Sequence, residues 1–215
     1  MAISGFCLCL LVPGETSMGA IQRLMYFHVP LAILSYLFLF LLFVSSLFSL
    51  RTPSHVRGGD VQWESLASAS ASLAFLMCSL VLVTGVIWGR VVWNVWWNWE
   101  PRLLSVALLW FMLLTYLLLR EHFPEGQKRR IVSSIFGILL AFNVPIVIFS
   151  VYLYGLEEQL HPREVVVDGL GVWRFFACRI SCFAASFFLS LWLFSARYTN
   201  LVLRTRLLSL ARELV

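Results

Sequence analysis

Charged side chains are scarce in this sequence: Asp, Glu, Lys and Arg make up only 13% of its 215 residues. A soluble domain usually carries about 25% charged residues. Hydrophobic residues make up 60% of the chain and aromatic residues 15%, so a water-soluble fold would leave large apolar areas in water. This composition excludes an ordinary soluble domain and a disordered chain, and it leaves a polytopic membrane protein.

Recognisable cysteine and catalytic motifs are also missing. The five cysteines form no Cys-x-x-Cys pair and no Cys-x-x-Cys-His sequence, which argues against a zinc site and against covalent c-type haem attachment by that motif. Cys178 and Cys182 share one helix face and are interpreted as small residues that face lipid or another helix. The chain has no phosphate-binding loop and no hydrolytic triad, so a binding or assembly role is favoured over an enzyme.

Long hydrophobic runs are what the sequence has in abundance. A helix needs about 20 mainly apolar residues to cross a bilayer, and strand-like alternation is weak in every run. We predict an all-α polytopic membrane protein, a helical bundle of five full transmembrane helices plus a short N-terminal apolar segment. The predicted spans are residues 27–50, 66–88, 103–119, 131–154 and 173–199.

The distribution of Lys and Arg predicts the orientation, because cytoplasmic loops carry an excess of these residues. Ten of them fall on one side and six on the other, so the richer side is predicted to be cytoplasmic, with an external N-terminus and a cytoplasmic C-terminus. The richer side contains Arg51, Arg57, Arg120, Lys128, Arg129, Arg130, Arg197, Arg204, Arg206 and Arg212. The other side contains Arg23, Arg90, Arg102, Arg163, Arg174 and Arg179.

Three parts follow from this organisation. Residues 1–20 form a shortened apolar segment, residues 21–199 the transmembrane domain, and residues 200–215 a basic cytoplasmic tail. Ala2–Val12 is too short to span before Pro13 and Gly14, and it fits a signal peptide poorly because no Lys or Arg precedes it. The transmembrane domain includes a tryptophan-rich external loop at about residues 89–105.

This loop is the most informative segment of the chain. Five of the nine tryptophans lie within twelve residues, Trp88 to Trp99. Tryptophan is enriched at membrane interfaces whatever the function, but a helix end usually carries one or two of them. We therefore favour a flat, π-rich surface for a large planar ligand. Arg102 or Arg90 could bind anionic groups of that ligand.

Two of the four histidines are predicted on the same external side. His28 lies at the external mouth of the first span and His161 lies in the second external loop, whereas His55 and His122 lie beside basic residues on the cytoplasmic side. Neutral imidazole is a good iron ligand, and a six-coordinate planar macrocycle needs one ligand on each face. His28 and His161 are therefore candidate metal ligands.

These segments together resemble the tryptophan-rich "WWD" haem-handling proteins, the CcmC/CcmF/CcsA superfamily, and CcmC most closely. The main match is the loop from Trp93 to Leu103, with Trp96, Trp97, Trp99, Glu100 and Arg102 at the signature positions. Three shorter stretches agree, namely Arg23–Pro30, Val83–Gly89 and Asn143–Pro145. The resemblance covers roughly residues 20–199.

The resemblance implies a function in cytochrome c maturation of the system I type. It implies non-covalent haem b at the external, periplasmic face, with His28 and His161 as axial iron ligands. Trp93, Trp96, Trp97 and Trp99 would form a hydrophobic surface for the haem, with Glu100 and Arg102 in the polar part of the motif. The haem would be presented to the chaperone CcmE, with the small subunit CcmD and the ABC transporter subunits CcmA and CcmB completing the complex. The expected location is the bacterial or mitochondrial inner membrane.

Two departures and two alternatives accompany this expectation. The signature's usual Asp is Glu100 here, and the family usually has six spans, whereas the first helix is cut to about eleven apolar residues. One alternative is an electron-transferring b-type cytochrome, which should carry histidine pairs within its spans. The other is a haem-free transporter subunit, whose aromatic loop only anchors it in the membrane.

Overall fold

A computed structural model describes residues 19–51, 59–153 and 172–213 of the chain, and nearly all of these residues are helical. A short 3-10 turn, Ala20–Leu24, leads into the first of five α-helices. We number the helices α1 (Met25–Arg51), α2 (Gly59–Trp93), α3 (Pro101–His122), α4 (Gln127–Leu153) and α5 (Val172–Glu213).

All five helices are long and apolar enough to cross a membrane, which confirms the predicted number of spans. Their outward faces carry large apolar side chains that are mostly exposed, among them Phe40, Phe111, Phe142, Phe188 and Trp192. Such a surface is stable only against lipid, because in water it would form one continuous apolar patch. The protein is therefore an all-α polytopic membrane protein.

The predicted tryptophan loop of residues 89–105 is too long. Helix α2 continues through Trp93, because no proline or strained backbone interrupts it before Asn94, whose φ of 59° is left-handed. Helix α3 already begins at Pro101, where a proline is favoured because its missing N–H has no helical partner. The non-helical segment is residues 94–100, and we call it the tryptophan segment.

The predicted division at residue 200 also needs correction. Helix α5 runs unbroken from Val172 to Glu213, and no glycine or proline occurs in it. The described basic residues after 199 are therefore helical and continuous with the last transmembrane helix, so no break in secondary structure marks residue 200. The N-terminal apolar segment cannot be compared, since residues 1–18 lie outside the described residues.

Helix α1 lies at the centre of the bundle and contacts α2, α4 and α5. Small residues on α2 allow its backbone to approach α1 closely, as is usual between membrane helices. Their hydroxyls are satisfied locally, for example by the bond from Ser70 Oγ to the Leu66 carbonyl. The buried small residues of α2 are Ser65, Ala67, Ser68, Ala69, Ser70, Ala71 and Ala74.

Close packing and one polar bond fix the other helices around this pair. Gly137 of α4 lies against Ser46 of α1, where a Cβ atom would collide with the serine hydroxyl. Trp110 of α3 donates its Nε1–H to Ser79 Oγ of α2 at 2.8 Å. The largest fully buried side chains of the core include Leu34, Leu39, Leu42, Leu109, Leu113 and Tyr116.

The two ends of the bundle differ in chemistry. One end, which we call the tryptophan end, holds the tryptophan segment between α2 and α3 together with the start of α1. The opposite end, which we call the arginine end, holds the connection between α3 and α4. There, Glu64 of α2 forms salt bridges with Arg120 and Arg129 at 3.0 and 2.9 Å.

Candidate functional site

His28 lies in the first turn of α1, at the tryptophan end of the bundle. The predicted span began at residue 27, and the structure begins this helix at Met25, so His28 is its fourth residue. Pro30 follows two residues later and cannot donate a backbone N–H, so the first turn of α1 has one helical hydrogen bond fewer. The side chain is half-buried and faces α2.

The ring of His28 is hydrogen-bonded to a hydroxyl of α2. Its Nδ1 atom lies 2.8 Å from Thr84 Oγ1. The same hydroxyl lies 2.7 Å from the carbonyl oxygen of Leu80, one helical turn back, and donates to it. A hydroxyl has only one hydrogen to donate, so Thr84 accepts from Nδ1–H. This tautomer leaves the Nε2 atom of His28 with a lone pair, which is what a metal ligand requires.

Gly85 provides the space that the His28 ring occupies. A Cβ atom at position 85 would lie 3.3 Å from Cε1 of His28, closer than most side-chain contacts. The neighbouring Gly89 differs, since a Cβ there would meet Trp93 at an ordinary 3.5 Å. Thr84 therefore determines which nitrogen of the imidazole carries the hydrogen, and Gly85 provides the space in which the ring lies.

Arg102, at the start of α3, is the cationic residue that acts on this ring. The positive charge of its guanidinium group acts electrostatically on the side chains of both His28 and Tyr36 of α1. The preceding Glu100 is buried and ends the tryptophan segment, and its carbonyl accepts the Leu104 N–H at 3.1 Å. Arg102 thus brings a positive charge to the end of the bundle that holds His28, and this charge suits an anionic ligand group.

Arg90 determines the shape of the tryptophan segment. Its Nη1 atom donates to the Asn94 carbonyl at 2.7 Å and also to the Asn94 side-chain oxygen. The guanidinium carbon lies 5.6 Å from the ring centroid of Trp96, within range of a cation–π interaction. Arg90 therefore stabilises the segment itself, whereas Arg102 is the better candidate for a ligand's acidic groups.

The five tryptophans of this region differ in exposure. Trp88 is buried, and Trp93 packs edge-on against it with ring centroids 4.6 Å apart. Trp96 and Trp99 are 62% and 73% exposed, so they present large apolar rings outward. Trp97 lies between them, edge-on to Trp99 at 6.0 Å. Its Nε1 is buried and has no hydrogen-bond acceptor among the described residues.

The predicted site residues are thus partly brought together. His28, Arg102, Glu100 and the tryptophans share one end of the bundle. His161 lies outside the described residues, so its approach to His28 stays a prediction. His122 lies at the arginine end, where its ring is edge-on to Phe123, consistent with a residue outside the site.

Sequence reasoning assigned no role to Thr84 or Gly85, although both belong to a stretch that carries the family resemblance. A threonine and a glycine are common in membrane helices, and neither has a spacing that indicates a ligand. Their position in the Val83–Gly89 stretch was the available signal. Cys178 and Cys182 are buried in one small cluster with Tyr26 of α1, so they face another helix and not lipid.

The fold and this site define a membrane protein with a histidine and an aromatic surface at one end of a five-helix bundle. The sequence profile of the Heme exporter protein C family (CcmC) matches residues 1–212. The chain belongs to this family, which is involved in haem handling for cytochrome c biogenesis.

Several relatives support the assignment. Heme exporter protein C of Bradyrhizobium diazoefficiens is 30% identical over 207 residues, which covers 93% of this chain and 74% of the relative. A cytochrome c biosynthesis ccmC-like mitochondrial protein of Marchantia polymorpha is 30% identical over 82% of this chain and 71% of its own length. For Heme exporter protein C of Paracoccus denitrificans the identity is 29%, and the match spans only 59% of that relative.

Proposed function

We propose that this protein binds haem b non-covalently at its tryptophan end and presents it to the haem chaperone CcmE for cytochrome c maturation. The family and the names of the relatives support haem handling. The observation that carries the proposal is the His28–Thr84 bond beside the exposed tryptophans. It leaves an imidazole Nε2 available for iron at the one end of the bundle that also offers an aromatic surface.

The donor set of the described residues fits a haem. Imidazole is a common axial ligand of haem iron, and the rings of Trp96 and Trp99 match a planar macrocycle. The guanidinium of Arg102 can form charge-assisted hydrogen bonds with a propionate. His28 and His161 would hold the haem iron, and Trp93, Trp96, Trp97 and Trp99 would form the haem-facing surface. Haem supplies the iron that these imidazoles bind.

Glu100 closes the tryptophan segment in this proposal. Its side chain is buried and its carbonyl accepts the Leu104 N–H in the first turn of α3, the turn that also carries Arg102. Glutamate in place of the usual aspartate keeps the negative charge and lengthens the side chain by one methylene. Arg102 would then meet the ligand while Glu100 keeps the segment in place.

A site that delivers its ligand should be open toward the partner that receives it. Trp96 and Trp99 are the most exposed members of the tryptophan segment, so a haem on them would stay accessible to a chaperone. We assign CcmE as that partner, and CcmD, CcmA and CcmB as further subunits. The excess of Lys and Arg at the arginine end favours that end as cytoplasmic, with the haem site external, in a bacterial or mitochondrial inner membrane.

The test is a visible spectrum of the purified full-length protein after expression with a haem supply. The proposal predicts a bis-histidine haem spectrum that is lost in His28→Ala and in His161→Ala. His122→Ala is the matched control, because this histidine lies at the opposite end beside Phe123, and its spectrum should equal that of the wild type.

Three outcomes would contradict the proposal. If the wild-type protein binds no haem, the haem-free transporter subunit is favoured. If the spectrum is unchanged in both His28→Ala and His161→Ala, these histidines are not haem ligands. Haem that is bound but never transferred to co-expressed CcmE would favour the b-type cytochrome. Labelling of residues 155–172 from the cytoplasmic side alone would reverse the assigned orientation.

A further inference from the structure

A second site lies at the opposite end of the molecule from the tryptophan segment. A cavity of about 720 Å³ opens there between α2, the α3–α4 connection and α5. This volume is within the range of small-molecule binding sites, roughly 300–1,000 Å³. The proposed haem function uses none of its residues. Its charged lining consists of Arg120, Arg129, Arg130, Arg197 and Arg204, with Glu64, Glu121 and Glu125.

Three of these arginines are already engaged within the protein. Arg120 and Arg129 both donate to the same carboxylate oxygen of Glu64, and Arg129 also lies 3.8 Å from Glu125. Arg130 is buried and donates from Nη1 to the Ser49 carbonyl at 3.1 Å. These contacts fix the cavity wall and neutralise most of its acidic charge.

Arg197 and Arg204 differ from the other three. Both are exposed, and neither forms a salt bridge with an acidic side chain of the described residues. They are seven positions apart on α5, with Leu201 between them, so they lie on one face of that helix. The cavity is therefore lined by two exposed cations that no carboxylate of the described residues neutralises, which suits an anionic group of a ligand.

The rest of the lining changes from polar to apolar. Serine side chains of α2 line one side, at positions 65, 68 and 72, and leucines of α3 and α5 line the other. Leu118 in particular is exposed on the membrane-crossing part of α3. A ligand that fits this lining has an anionic head and an apolar tail. The cavity also lies where the transmembrane helices end, which is the depth of lipid headgroups.

We infer that this cavity binds the phosphate headgroup of an anionic membrane lipid, with Arg197 and Arg204 as the phosphate-binding residues. Arginine forms bidentate charge-assisted hydrogen bonds with phosphate. Basic cavities between helices at the cytoplasmic side are known to select anionic lipids. A free phosphate ion would share the headgroup chemistry but would not use the leucine wall, so the lipid is the favoured ligand.

The experiment compares lipid retention by the full-length protein and its variants. Native mass spectrometry would count phosphatidylglycerol molecules retained after reconstitution into phosphatidylcholine vesicles with and without phosphatidylglycerol. We expect the double variant Arg197→Gln, Arg204→Gln to retain about tenfold less of the anionic lipid or lower, on the scale of two lost surface arginines. The pair Arg51→Gln, Arg206→Gln removes the same charge outside the cavity lining and should change retention less than twofold.

Further measurements distinguish a bound lipid from free phosphate and detect variants that misfold. The double variant Arg197→Lys, Arg204→Lys preserves the positive charge and should regain part of the retention of the anionic lipid. Circular dichroism should show the same helicity in every variant. Equal retention by the wild type and the double glutamine variant would overturn the inference. Retention displaced by millimolar inorganic phosphate, without preference for the anionic lipid, would also overturn it and leave a site for soluble phosphate.

Discussion

The imidazole of His28 and the hydroxyl of Thr84 are joined by a 2.8 Å hydrogen bond between α1 and α2, across 56 positions of sequence. Because Thr84 donates its own hydrogen to the Leu80 carbonyl, the bond selects the tautomer that leaves Nε2 unprotonated. Partners of this kind, behind a metal-binding histidine, orient the ring and raise its basicity. This bond makes Thr84 a positioning residue for the proposed haem site.

Replacing Thr84 by valine removes the acceptor and conserves the shape of the side chain. We expect haem affinity to fall by about 10- to 100-fold, the effect usual for such partners, while Thr84→Ser keeps most of it. Titration of the purified protein with haem, followed by its visible spectrum, measures the change. Thr115→Val is the control, because the Thr115 hydroxyl bonds only the Phe111 carbonyl in its own helix. Equal losses at positions 84 and 115 would remove the specific role.

Substituting Gly85 by alanine should displace the ring of His28. The new Cβ atom would lie 3.3 Å from Cε1, so the imidazole must shift by a few tenths of an ångström. We expect weaker haem binding and an altered ligand-field spectrum with unchanged helicity. Gly89→Ala is the matched control, since its Cβ meets only ordinary contacts. If both alanines bind haem like the wild type, the ring does not depend on this packing.

Trp96 and Trp99 should contribute to haem retention through their exposed rings. One favourable aromatic contact is worth about 0.5–1.5 kcal/mol, so each alanine variant should retain haem roughly two- to tenfold less well. Trp192→Ala removes an equally exposed tryptophan from α5 and should leave retention unchanged. If both Trp96→Ala and Trp99→Ala retain haem and load the chaperone normally, the tryptophan segment serves only as a membrane anchor.

Asn94 should tolerate glycine but not valine. Its φ of 59° lies in the left-handed region, which costs a β-branched residue about 1–3 kcal/mol. Asn94→Gly loses the side-chain bond to Arg90 but keeps the bond to the main-chain carbonyl. Thermal unfolding in detergent should therefore place Asn94→Val below the wild type and Asn94→Gly close to it. Equal midpoints would show that the backbone here carries no such constraint.

Gly137 should be required for the packing of α4 against α1. A leucine at this position would collide with Ser46 and Leu42, and overpacking of this kind costs about 1–3 kcal/mol. The measurement is the thermal midpoint of the detergent-solubilised protein. Ala196→Leu adds the same side chain at an exposed position of α5 and should cost little. A similar midpoint for both variants would contradict close contact between the two helices.

The sequence predicted the five spans because each consists of a long apolar run that a bilayer requires. It did not predict that α2 continues to Trp93 or that α3 already begins at Pro101. Both errors concern helix ends, where hydrophobicity no longer distinguishes a helix from a loop near the membrane surface. Helix α1 also includes Pro30 as its sixth residue, with the loss of one helical hydrogen bond.

The contacts of the site could not be predicted in the same way. His28 and Thr84 are distant in sequence, as are Glu64 and its partners Arg120 and Arg129. No periodicity within one helix indicates which face of another helix it meets. The tryptophan segment was predictable as a site because its composition is unusual, whereas a single threonine in an apolar helix is not.

Helix α5 has 42 residues, which corresponds to about 63 Å at 1.5 Å per residue, roughly twice the hydrocarbon thickness of a bilayer. Cys178 near one end of this helix packs against Tyr26. Arg197 and Arg204 near the other end line the cavity at the arginine end of the bundle. Because no glycine or proline lies between these residues, the two ends belong to one continuous, stiff helix. A rotation or axial shift imposed at one membrane surface would therefore reach the other surface almost undiminished.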